Sequence, residues 1–319
     1  MQGKRLPGEF YHLMACLNPS EEMLLHNTIE EYEEAALNFI DKNPHLLTLS
    51  MPEMENITPL MAAVMQPNQC CSLNLFKRLI SPPTNVNAVK DFGTTALHFL
   101  AMNNRVEHIK ILLKDENNKI NVNAKTTTQG LTPVYAAILN NALNALTLLI
   151  VLGKADVNIC NTKKQSPLHV ACRFGQSEEG KQNEKISEEE ALKYEASIRL
   201  LLKSGANVNA RCESGSTPVM YLAGADIPSK IKNSVLKQLI EYGAELSVKA
   251  NDHFDVVSIS KEYQFLEFSK KAEKKRVSPL FQLCVKKVLE IHPNESEYFI
   301  SDISDKMKKI KLGNSKVSN

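Results

Sequence analysis

The 319-residue sequence contains no Trp and none of the short motifs that mark common chemistries: no GxGxxG, no P-loop, no GxSxG and no HExxH. Their absence argues against an enzyme. Metal and cofactor sites are also not expected. Adjacent Cys70 and Cys71 lack a second pair of ligands, and so do His169 and Cys172. The seven Cys, at 16, 70, 71, 160, 172, 212 and 284, form no CxxC pair and no even framework, so they read as free thiols in a reducing compartment. Charge of one sign is not in excess. A net of +2 is too balanced to make nucleic acid the main partner. Long hydrophobic runs are missing too. Ala142 to Leu152 is interrupted by Asn144 and Thr147 and is too short to span a bilayer, so it reads as a buried outer helix. Met1 to Phe10 is polar and charged, unlike a secretory leader. A cytoplasmic monomer without membrane contact is expected.

What the chain does have is a phrase that recurs. It stands as Thr58-Pro59-Leu60-Met61-Ala62-Ala63, Thr95-Ala96-Leu97-His98, Thr132-Pro133-Val134-Tyr135-Ala136-Ala137, Ser166-Pro167-Leu168-His169-Val170-Ala171 and Thr217-Pro218-Val219-Met220. The first residues are separated by 37, 37, 34 and 51 positions. A second phrase trails each: Asn85-Val86-Asn87, Asn121-Val122-Asn123, Asp156-Val157-Asn158, Asn207-Val208-Asn209 and the weaker Glu245-Leu246-Ser247. Two phrases in fixed order, one supersecondary unit apart, mean a solenoid. On these two motifs the chain resembles ankyrin-repeat proteins over roughly residues 23 to 260.

The physics agrees. Thr or Ser before Pro starts a helix, because the hydroxyl caps free amides and Pro needs no partner for an N–H it lacks. Leu and small Ala then form a tight inner helix. An outer helix follows, with apolar residues at helical spacing: Val106, Ile109, Leu112 and Leu113; Ile198, Leu201 and Leu202; Leu236, Leu239 and Ile240. Gly205 and Gly243 suit left-handed helix ends. One helix pair cannot bury its own apolar face, so neighbours must stack. The expected fold is all-α, an ankyrin-repeat solenoid of about five to seven helix-turn-helix repeats, with a small C-terminal helical module.

Residues 1–22 read as an irregular lead-in and 23–260 as the array. Its first, degenerate repeat places an outer helix over Glu30 to Ile40, with Glu30, Glu31, Glu33 and Glu34 as a solvated capping face. In the fourth repeat the distance between the two phrases grows from 24 residues (132 to 156) to 41 (166 to 207). The surplus falls at about 176–190, a polar insertion, after which Ser187 and three Glu read as the cap and first turn of a lengthened helix. Residues 250–270 read as a worn closing repeat, 261–276 as a basic linker, and 277–319 as the C-terminal module.

His98 and His169 hold the fourth position of the first phrase, where the family resemblance implies hydrogen bonding between repeats. Met61, Tyr135 and Met220 stand there in the other repeats, and a weaker network is expected at those joints. The resemblance also implies a concave partner-binding face built from turn tips and inner-helix ends. By position the tips are Asp91, Phe92 and Thr94; Thr128 and Gln129; Thr162 and Lys163; and Glu213 and Ser214. The inner-helix residues are Met102, Asn103, Ile138, Leu139, Arg173 and Phe174. Phe92, Phe174 and Arg173 are of the types that anchor interfaces.

At the far end, Ser278-Pro279-Leu280 followed by Cys284 and Val288 is similar to the elongin-C-binding box of the SOCS-box family. That resemblance implies that Leu280 and Cys284 contact elongin B/C and that Val288 completes the stripe. The chain would then be a substrate-recognition adaptor of a cullin-type ubiquitin ligase. The family's downstream Leu-Pro-rich segment is absent, Ile303-Ser304 standing in its place. The competing reading is a secreted microbial or parasite effector that seizes a host protein in the host cytoplasm, compatible with an Asn/Lys-rich, Trp-free composition.

Overall fold

A computed structural model describes residues 6–66, 71–117, 119–173, 187–225 and 227–251. The insertion core at 174–186, the closing repeat from residue 252 on, the basic linker and the C-terminal module lie outside the described residues. So do Cys70, Phe174, Leu280, Cys284 and Val288.

Among the described residues the regular structure is almost wholly helical. Twelve α-helices follow one another as six pairs: α1 (Gly8–Leu17) with α2 (Ile29–Lys42), α3 (Pro59–Val64) with α4 (Leu73–Ile80), and α5 (Ala96–Met102) with α6 (Val106–Lys114). The series continues with α7 (Pro133–Leu139) and α8 (Leu143–Val151), α9 (Pro167–Cys172) and α10 (Glu188–Lys203), and α11 (Pro218–Gly224) and α12 (Ser229–Glu241). The chain divides into two compact units, residues 1–171 with 203–206, and 172–202 with 207–319.

In the first unit the inner helices stack in the order α1, α3, α5, α7, and the outer helices in the order α2, α4, α6, α8. Each inner helix is too short to persist alone in water, so burial holds it. All six residues of α3 are buried, as are the first six of α7. The phrases do the work their chemistry suggests. Thr58 caps α3 by accepting the Met61 amide at 3.4 Å, with Pro59 in the first turn. Thr28 and Glu31 exchange the two bonds of a capping box at 3.3 and 2.8 Å. In the second unit Ser187 and Glu190 do the same for the sixteen-residue α10, the capped and lengthened helix the sequence predicts.

The second phrase is a stitch. Its first side chain folds back on its own backbone: Asn85, Asn121 and Asp156 accept the amides of Asn87, Asn123 and Asn158 at 2.8–3.1 Å. Its second Asn reaches the neighbouring repeat. Asn87 donates to the Lys119 carbonyl at 2.8 Å and accepts the Asn121 amide at 2.7 Å, and Asn123 accepts the Asp156 amide at 3.0 Å. Within the second unit Asn209 repeats the pattern with Gly243 and Glu245 at 2.8 and 2.9 Å. Gly205 and Gly243 take φ of +86° and +89°, the left-handed helix ends anticipated for them.

Three expectations need correction. The lead-in is not irregular: α1 is the inner helix of the first repeat, burying Phe10, Leu13, Met14 and Leu17 at i, i+3, i+4 and i+7. The acidic cluster of α2 is not merely solvated, because Glu31 closes the capping box and Glu33 accepts the Ser72 amide at the start of α4 at 2.6 Å. The inward face of α6 buries Ile109 and Leu112, but His108 takes the third inward position while Val106 and Leu113 are only partly covered. His108 lies edge-on to Phe76, its Nε2 2.8 Å from the Cys71 carbonyl.

Candidate protein-docking face

The turn tips are joined by main-chain hydrogen bonds from one repeat to the next. The Asp91 amide donates to the Glu55 carbonyl, Thr127 to Phe92 and Thr162 to Gln129, at 2.8–3.0 Å. In the second unit Asn251 donates to Ser214 at 2.9 Å. Such bonds join the tips within each unit into a row and leave their side chains outside it. Gly93 shows how close the backbones run: at φ +78° an added Cβ would sit 2.9 Å from the Lys125 carbonyl oxygen.

Behind the tips, the fourth position of the phrase binds the repeats together. The Thr95 amide can only donate, so Nδ1 of His98, 3.1 Å away, accepts and Nε2 carries the proton. That Nε2 lies 3.1 Å from the Leu131 carbonyl of the next repeat. Burial holds the His98 pKa below its ordinary value, against the smaller opposing pull of the Leu131 and Ala124 carbonyls. His169 uses Nδ1 identically, accepting the Ser166 amide at 3.1 Å.

The expectation of a weak joint at Tyr135 is overturned. Its hydroxyl contacts the Gln165 carbonyl, lies 3.0 Å from the Ile159 carbonyl and accepts the Asn161 amide at 3.1 Å. Burial, then the neighbouring Cys160, push its phenol well above the usual range, so it remains a hydroxyl donor. Met220 makes only a long 3.5 Å sulfur contact with the Thr217 amide. Cys172 is fully buried, and its thiol is raised far above normal by that burial. These groups therefore serve the framework.

The candidate partner-binding residues sort by exposure. Phe92 is 57% exposed, Met102 41% and Leu139 38%, whereas Ile138 is 1% exposed and does not belong to the face. Ile138 occupies the sixth position after the phrase's first residue, where Val64, Ala101, Cys172 and Ala223 are buried as well. Asp91, Thr128, Gln129, Thr162 and Lys163 are exposed in the first unit, as are Glu213 and Ser214 in the second. Asp91 accepts the Asn56 side-chain amide at 2.6 Å. Thr94 is half-buried and accepts the Lys90 amide at 2.8 Å. Asn103 is occupied internally, donating to the carbonyls of Val64 and Met65 at 3.3 and 3.2 Å, and Arg173 is half-buried. One residue was missed: Phe99, half-buried one turn before Met102 on the open side of α5. The other first-unit repeats have Ala62, Ala136 and Val170 at that position, and the size difference was the available signal.

Among the described residues no group of three or more His, Cys, Asp or Glu is placed to hold a metal ion, and no helix is long and apolar enough to cross a membrane.

Short inner helices, longer outer helices and hydrogen-bonded tips define a helical-repeat solenoid of the kind that binds other proteins. A family model described as ankyrin repeats (3 copies) matches residues 13–124, 60–159 and 140–250, and the chain belongs to the ankyrin-repeat family. It is 25% identical over 218 residues to the nuclear factor NF-kappa-B p105 subunit of Gallus gallus, covering 67% of this chain and 20% of that protein. The chain thus spans about a fifth of that relative's length. Its fold is similar to the crystal structure of the ankyrin repeat domain of Bcl-3, described as a unique member of the IkappaB protein family. That likeness has a TM-score of 0.58 at 18% identity and covers 81% of this chain and 97% of that one.

Proposed function

We propose that the protein is a non-enzymatic scaffold that holds another polypeptide on the tip and inner-helix face of its repeats. One observation carries the reading. Inner helices α3, α5 and α7 bury nearly every side chain, yet Met102 and Leu139 at the ends of α5 and α7 and Phe92 at a turn tip remain exposed. Exposed apolar side chains in a row, backed by a rigid framework, are what a partner would cover. A photo-crosslinking side chain placed at Phe92, with one at the outer-helix position Lys114 as control, identifies the partner. The purified partner is then titrated against Phe92→Ala/Met102→Ala/Leu139→Ala. An affinity loss of about tenfold or more is expected. Equal crosslinking from Lys114, or an unchanged affinity, would overturn the reading.

The finer reading is a ubiquitin-ligase adaptor, acting in a reducing compartment such as the cytoplasm. It is supported by the spacing of Leu280, Cys284 and Val288 beyond the end of the repeats. Capture of purified elongin B/C by the full chain, abolished by Leu280→Ala/Cys284→Ala, would support it. Failure of the wild-type chain to capture the pair would remove it and leave the scaffold.

A further inference from the structure

The tips of the first unit change charge along the row. The segment 52–57 carries Glu53 and Glu55, and 90–94 adds Asp91 and Lys90, whose ammonium pairs with Glu55 at 2.5 Å. The next tip, 126–131, has no charged residue, and 161–165 carries Lys163 and Lys164 without a carboxylate. Glu53, Glu55, Lys163 and Lys164 are all exposed. Between the two ends, on the second and third repeats of the row, Phe92, Met102 and Leu139 lie open, Phe92 beside Asp91 on its tip and the other two at the ends of α5 and α7.

Adjacent packed helices stand roughly 8–10 Å apart, so three tip-to-tip steps separate the acidic and basic ends by roughly 30 Å. That is several times the ~8 Å screening length at physiological salt, so each end acts on its own local charges. A partner with uniform charge gains at one end and loses at the other. A partner of zero net charge with its charges segregated gains at both.

We propose that this face of the first unit is a polar docking strip for a bipolar polypeptide segment. The segment is basic over Glu53 and Glu55, apolar over Phe92, Met102 and Leu139, and acidic over Lys163 and Lys164. It is about nine residues long if extended, at ~3.3 Å per residue. The inference rests on the scaffold reading and specifies the chemistry of its partner. Exposed charge pairs are individually weak, so the polarity sets direction and selectivity while the apolar centre supplies most of the hold.

The test uses the full chain and labelled synthetic peptides in fluorescence anisotropy. The bipolar probe is Lys-Lys-Lys-Gly-Leu-Phe-Leu-Gly-Glu-Glu-Glu; its control has the same composition with Lys and Glu interleaved on both sides of the same apolar core. The bipolar probe is expected to bind about five- to tenfold tighter, a margin that shrinks as salt is raised. Glu53→Lys/Glu55→Lys should abolish the margin and shift preference to a peptide with Glu at both ends. Lys163→Glu/Lys164→Glu is the mirror variant and should shift it to a peptide with Lys at both ends. Thermal unfolding checks that each variant folds. Equal affinity for bipolar and interleaved probes, no detectable binding of either, or unaltered preference in both charge-reversed variants would overturn the proposal. If the crosslinked partner still loses affinity on Phe92→Ala/Met102→Ala/Leu139→Ala, the scaffold reading survives that failure.

Discussion

The hydroxyl of Tyr135 meets the main-chain carbonyl of Gln165, the residue just before Ser166 in the next repeat. His98 reaches the matching acceptor one joint earlier, the Leu131 carbonyl before Thr132, at 3.1 Å. A phenol and an imidazole thus close the same link. Tyr135→Phe keeps the ring and removes the hydroxyl's bonds, but the Asn161 amide, which the hydroxyl accepts at 3.1 Å, still donates to the Gln165 carbonyl at 3.0 Å. What is lost is the net contribution of the hydroxyl's hydrogen bonds, about 1 kcal/mol, and urea unfolding should show a loss of that size. A change within about 0.5 kcal/mol, the range of neutral surface substitutions, would mean that the link is idle.

His98 makes the stability of the array depend on pH. Its folded pKa lies below the ordinary value, while the unfolded chain titrates near 6.5. Below that pH the unfolded state binds a proton that the folded state resists, because burial disfavours the charged imidazole and Nδ1 already accepts the Thr95 amide. The contribution is therefore complete above about pH 6.5 and is lost as pH falls toward the folded pKa. Unfolding free energies measured from pH 7.5 down to 5 should fall less steeply in His98→Gln than in the wild type. Parallel slopes would show that His98 does not carry the effect.

The repeats were legible because their punctuation is chemical: a hydroxyl and Pro to open a helix, and paired Asn side chains to bridge neighbours. α1 escaped that reading because it starts at Pro7 with no side-chain cap and no Thr-Pro phrase, leaving only the stripe from Phe10 to Leu17. Of the residues expected on the face, Phe92, Met102 and Leu139 are exposed as read from their positions, but Ile138, named beside Leu139, is buried. Counting from Thr132, the seventh position opens outward and the sixth does not, as Met102 and Ala101 show in the repeat before. Tyr135 could not be recognised as a functional replacement for His, because its reach to Gln165 depends on the distance between two stacked repeats.

Glu195 ties α10 to α12 within the second unit. It is 7% exposed, and its Oε1 accepts from Arg199 at 3.1 Å, Ser234 at 2.7 Å and Gln238 at 2.8 Å. Hydrogen bonds to a charged acceptor contribute more than neutral ones, and losing the acceptor leaves three donors without it. Glu195→Ala should cost about 2–3 kcal/mol. Amide exchange should quicken in both α10 and α12. Loss of protection confined to α10 would show that the tie to α12 carries no free energy.

Phe92 sits in the left-handed region at φ +67°, where a bulky residue is strained by of order 1 kcal/mol and Asn is at ease. Its side chain is more than half exposed, so no core packing repays that strain. Its carbonyl accepts the Thr127 amide at 2.8 Å, a main-chain bond that any residue can keep. Phe92→Asn should therefore stabilise the chain, by about 0.5–1 kcal/mol, while weakening capture of the crosslinked partner. The two effects having opposite signs is the decisive feature, because a merely structural Phe would lose stability and binding together. Thermal unfolding and partner titration on one preparation measure both. A destabilised variant, or a stabilised one that binds undiminished, would remove Phe92 from the docking face.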